Sequence, residues 1–134
     1  MGNRRFAVIL ALLISVGVAA WPTVTQTSVA HGVTVAVTAG NLAPDSSMWD
    51  FALAYDSRML PINDSVLDSV VLVGDGAPIK PLAWEGDKAG GRHRVGVLKF
   101  IAMQPRPKQL ELRITRPGEA KPRIFRFAFG DWAA

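Results

Sequence analysis

The sequence predicts an all-β domain: an immunoglobulin-like sandwich or a related Greek-key barrel of about seven antiparallel strands. Three observations predict it. Apolar residues alternate with polar or small ones over short stretches, as in strands with one face on a core. Glycine, proline and aspartate interrupt these stretches at short intervals. After residue 20 no segment sustains a helical period beyond two turns.

Residues 23–30 read as a linker or a first edge strand. Residues 33–39 follow, with Val33, Val35 and Val37 on one parity, and break at Gly40 and Pro44. The clearest alternation lies in residues 48–55, where Trp49, Phe51, Leu53 and Tyr55 share a face and Asp50, Ala52 and Ala54 oppose them. Residues 56–63 turn through Pro61 and have room for a short edge segment. A helical turn is expected near 64–67, capped by Asn63 or Asp64, beside an apolar stretch at 66–73 that stops at Gly74-Asp75-Gly76. Residues 79–84 suit an edge strand because Pro81 lacks a backbone donor. Residues 85–91 form a glycine-rich loop. Strands return at 93–102, with Leu98 and Phe100 on one parity, at 110–115, with Leu110, Leu112 and Ile114, and at 124–129, with Phe125, Phe127 and Phe129.

Ahead of this domain stands a different signal. Arg4 and Arg5 precede an apolar run over residues 6–18, which closes on Val18-Ala19-Ala20. That is the build of a secretory signal peptide over residues 1–20, cleaved near Ala20. The alternative is an uncleaved N-terminal anchor, although residues 6–21 fall short of the roughly 20 residues that a spanning helix needs. Residues 21–134 then form one domain with no membrane span, and the expected location is periplasmic or extracellular.

The chain has no cysteine, so thiol catalysis, disulfides and thiolate-ligated clusters are excluded. Charge is uneven along it. Residues 21–79 hold one base against six aspartates, a net of −5, and residues 80–134 hold twelve bases against five acids, a net of +7. Interleaved strands would mix these halves in space. Bases scattered through strands, without a stripe, argue against nucleic acid as a partner.

The densest polar constellation is Trp84, Glu85, Asp87, Arg92, His93 and Arg94. A large aromatic, carboxylates and paired arginines around flexible glycines suit a small anion or a sugar. The bland alternative is a loop whose own side chains hold its shape. A metal would draw on His93, Asp87 and His31, a thin set for a closed zinc site. No serine sits in a nucleophile elbow, and Glu85 with Asp87 is a poor candidate for a glycosidase pair.

The residues 46–51, 82–86 and 90–100, which include Trp49-Asp50-Phe51, Trp84-Glu85-Gly86 and Gly90-Gly91-Arg92-His93-Arg94-Val95-Gly96-Val97-Leu98-Lys99-Phe100, resemble a group of uncharacterised exported prokaryotic β-sandwich proteins. The resemblance covers about half of residues 21–134 and implies location and fold, with no activity to carry over. In that group two adjacent histidines stand in the glycine loop and a third follows the Trp-Asp-Phe strand. Here Arg92 and Arg58 occupy two of those places. The expectation is therefore an exported, non-enzymatic protein, structural or protein-interacting, or self-associating through an edge strand. The alternative is a binding module for a metal ion or small anion at residues 85–94. No cofactor is specified.

Overall fold

The computed structural model describes residues 25–128. The leader read over residues 1–20 lies outside them, as do Trp21, Phe129 and Trp132. Nine strands and one helical turn follow in order: β1 (Thr25–Ala30), β2 (Val33–Ala39), β3 (Met48–Ser57), α1 (Val66–Ser69), β4 (Val70–Gly74), β5 (Ala77–Ile79), β6 (Ala83–Gly86), β7 (His93–Ile101), β8 (Gln109–Ile114) and β9 (Arg123–Ala128). They build two antiparallel sheets, one of five strands ordered β1-β2-β3-β7-β6 and one of four ordered β9-β8-β4-β5. The predicted all-β sandwich is the fold.

Alternation decides the core. Val33, Val35, Val37, Trp49, Phe51, Leu53, Tyr55, Leu98 and Phe100 face inward from the larger sheet and are buried. Leu72, Leu110, Leu112, Ile114, Phe125 and Phe127 meet them from the smaller one. Phe51 locks the layers together, edge-on to Phe100 at 5.8 Å and tilted against Phe127 at 5.5 Å. Such aromatic pairs add to the effect of burial alone.

Two hairpins turn on positive backbone angles. His31 (φ 53) with Gly32 (φ 73) joins β1 to β2, and Asp75 (φ 47) with Gly76 (φ 89) joins β4 to β5. Two consecutive residues at positive φ match the strand twist, which is why such turns favour short polar residues and glycine.

Three elements differ from expectation. The single edge strand read over 79–84 is two strands in different sheets. Pro81 lies between β5 and β6, where the chain crosses from one layer to the other, so both new strands are short edges. The helical turn sits slightly later than expected, with Ser65 at its N-cap position. Its hydroxyl donates to the Asp68 carboxylate (2.8 Å), while Asp64 turns its side chain elsewhere. Residues 58–63 hold no edge strand.

Both halves of the chain contribute strands to both sheets, which mixes the uneven charges. At the β1/β9 side the two sheet edges are stitched by side chains. The Gln26 amide donates to the Arg126 carbonyl and accepts from the Arg126 N–H (3.2 Å). This occupies the N–H and C=O of Arg126 on the outer edge of β9, where another strand would otherwise pair.

Candidate functional site

One end of the sandwich gathers four connections: the His31-Gly32 turn, residues 58–65, residues 87–92 and residues 115–122. Backbone bonds tie three of them together. The Arg58 N–H donates to the Gly32 carbonyl (3.0 Å), Ser57 N–H to Arg92 (2.7 Å), Ile62 N–H to Gly91 (2.7 Å) and Gly90 N–H to Ile62 (2.9 Å). The glycine loop thus braces the segment after β3.

The residues read from the sequence divide around this loop. Trp84 packs at the edge of the core, and its indole lies beside the paired glycines Gly86 and Gly96. A Cβ on either would come within 2.8 or 2.6 Å of the ring. Its Nε1 donates to the Asp87 carbonyl (3.0 Å), and the Arg94 guanidinium stands 5.9 Å from the ring centroid. Arg94 is only 4% exposed. It donates to the carbonyls of Asp87 (3.2 Å), Asp64 (2.8 Å) and Ile62 (3.4 Å). The Asp87 carboxylate accepts from the Val95 N–H (2.9 Å).

Trp84, Asp87 and Arg94 therefore meet, and what they hold is the loop itself. Glu85 points to the opposite face, toward Lys99 Nζ (3.2 Å). His93 shares that outer face, with Nδ1 3.9 Å from Asp56 Oδ1. Arg92 is exposed and donates to the Arg58 carbonyl (3.1 Å). His31 occupies the first position of its hairpin turn. The metal set of His93, Asp87 and His31 is not assembled: among the described residues no three His, Cys, Asp or Glu side chains form a group that could hold an ion.

Sequence reasoning missed the most constrained polar group at this end. Arg116 grips both oxygens of Asp64 (2.9 and 2.9 Å) and bonds Glu119 (3.2 Å). Arg123 takes both oxygens of Glu119 (2.9 and 2.7 Å). It also donates to the carbonyls of Ser28 (3.1 Å), Ala30 (2.8 Å) and Val33 (2.9 Å), so a single β9 side chain holds the β1–β2 hairpin. Paired geometry and charge assistance make these the strongest bonds at this end. Bonds from Arg123 hold the Glu119 carboxyl below the usual glutamate range, against the opposing effect of burial. Burial, with Asp64 nearby, pushes the Tyr55 phenol well above its ordinary value, so it stays protonated. A signal for part of this cluster was present, because Arg94 shares the core parity of Leu98 and Phe100, and Arg123 that of Phe125 and Phe127. Asp64 and Glu119 lie in loops, where parity says nothing.

Above this floor are two neighbouring hollows that share His31 and Leu60. One, of about 360 Å³, is bounded by Pro61, Asp64, Arg116 and Glu119. The other, of about 470 Å³, is bounded by Ser57, Arg58 and Met59. Met59 and Leu60 stand 82% and 73% exposed on the rim. Compared with protein-family models, with curated proteins and with solved structures, the chain finds no match.

Proposed function

We propose that this chain is an exported, non-enzymatic β-sandwich of the periplasm or cell exterior that acts by protein contact at the loop end. The observation that carries the reading is the pairing of a fixed charged floor with an apolar rim. Asp64, Glu119, Arg116 and Arg123 are bonded to one another, while Met59 and Leu60 project beside two hollows. Exposed apolar side chains on a backbone held by buried ion pairs suit a pre-organised protein contact.

Two further observations support it. Glu119 is held charged and Tyr55 protonated near neutral pH, and neither is poised to exchange a proton there. The chain also runs into β1 at Thr25, at the end of the sandwich opposite the His31 turn. The loop end therefore lies at the far end of β1 from Thr25.

The small-anion reading has less behind it. The Arg94 guanidinium is committed to backbone carbonyls, which leaves Arg92 and Arg58 as exposed arginines in water, where ion pairing is worth little.

The test compares the native chain with the Met59→Asp, Leu60→Asp double variant, both recovered under mild conditions from their own envelope fraction. Both positions are exposed, so folding is expected to survive the change. The reading expects a partner protein held by the native chain and lost from the variant. A partner kept equally by both, or held by neither, contradicts it.

A further inference from the structure

Strand parity places every second residue of the five-stranded sheet on its outer face, and the cross-strand register sorts these residues into rows. Val29, Thr34, Asp56 and His93 form the first row, and Thr27, Ala36, Ala54 and Val95 the second. Thr25, Thr38, Ala52, Val97 and Glu85 form the third, and Asp50, Lys99 and Ala83 the fourth. On β1, β2, β3 and β7 the middle of this face is a neutral field of threonine, alanine and valine, with Glu85 at its β6 margin. The smaller sheet is the contrast, because its outer face carries Arg113 and Arg126 on Glu111 (2.8 and 3.1 Å). Solvent-facing sides of antiparallel sheets are ordinarily polar. An uncharged field of small side chains, with exposed Val95 on it and exposed Val29 at its margin, is the kind of patch that marks a contact.

On β3 and β7 the charges that bound the field are placed symmetrically, while Glu85 on β6 lies off this pattern and pairs with Lys99 (3.2 Å). Leu53 pairs with Gly96 at its centre, and Asp50 and Asp56 lie three residues to either side of Leu53. Lys99 and His93 lie three residues to either side of Gly96. We infer that this face docks on the same face of a second copy, around a two-fold axis over Leu53 and Gly96 that sets the strands antiparallel.

Such an axis lays the Asp50–Lys99 row of one copy over the Asp56–His93 row of the other. With strands exactly aligned, aspartate would meet aspartate. Stacked sheets, however, cross at about 30°. At three residues from the centre, about 10 Å, that angle shifts each strand end sideways by about 5 Å, close to one interstrand spacing. One sense of crossing sets Lys99 over Asp56, and the other sets Asp50 over His93. Either way an acid meets a base, and by symmetry it does so twice. Small side chains at the centre let the sheets approach closely. Four strands of about seven residues cover roughly 450 Å² per copy, below the roughly 600–1,000 Å² per partner of a stable interface and in the range of weak, transient contacts. The association is therefore expected to be reversible and concentration-dependent.

Sedimentation of the purified chain over a range of concentrations tests this. The mass is expected to double as concentration rises, and an Ile124→Lys change on the other sheet should leave that behaviour intact. Ala54→Lys places two like charges near the axis and is expected to weaken association by about 100-fold. The exposed Ala52→Lys serves if the first variant does not fold, with circular dichroism as the check. One of two charge swaps, Lys99→Glu with Asp56→Lys or Asp50→Lys with His93→Glu, should restore what its single changes weaken. A monomer at every concentration, or a dimer indifferent to both lysine variants, overturns the inference. Failure of both swaps overturns the antiparallel arrangement.

Discussion

Arg123 anchors the loop end with five side-chain hydrogen bonds. Its neighbours are three backbone carbonyls of the β1–β2 hairpin and both oxygens of Glu119, and its side chain is 5% exposed. Arg123→Ala would leave the three backbone carbonyls without this donor and Glu119 with Arg116 alone. The expected loss is about 3–5 kcal/mol, read from urea unfolding. Arg92→Ala removes an exposed arginine with one carbonyl bond and is expected to change stability by less than about 1 kcal/mol. Glu119 adds a dependence on pH. Its carboxyl is held below the ordinary glutamate range, so it contributes stability that is present above the unfolded value and lost as pH falls through the folded one. Unfolding midpoints should thus decline as pH drops below about 4.3. Glu119→Gln should flatten that limb, at a lower midpoint near neutrality.

The edge of the larger sheet depends on two glycines. Gly96→Ala would set a Cβ 2.6 Å from the Trp84 indole and 2.7 Å from the Gly86 backbone, so the ring must leave its place. Overpacking of this kind costs about 1–3 kcal/mol. A red shift of tryptophan emission, with unfolding at lower urea, is the expected outcome; an unchanged spectrum would mean that the ring does not lie beside the pair. The same region shows how far pattern reading reaches. Strands with period-two alternation, such as Met48–Ser57 and Gln109–Ile114, were legible because burial on one face enforces the pattern. The stretch around Pro81 was not, because proline signals an edge and the chain here makes two edges while changing sheets. Nor could parity reveal the Gln26 stitch, which joins residues 100 apart.

Considered whole, the molecule is a sandwich whose two sheets were legible in the sequence and whose candidate site was legible only in part. Residues 84–94 were singled out for their chemistry, and the fold uses several of them to brace a neighbouring loop. Met59 and Leu60, in the stretch 56–63 that reads as a turn with room for a short edge segment, are among the most exposed apolar side chains described. Their signal was faint, since two apolar residues before a proline look like strand or turn alike. The loop end is expected to make the contact. The most direct measurement is photo-crosslinking in the producing cells from a probe at position 60, set against the same probe at position 113 on the outer face of the smaller sheet. A discrete adduct with another protein at position 60 and none at position 113 is the expected result. Equal adducts at both positions, or none at position 60, would contradict the account.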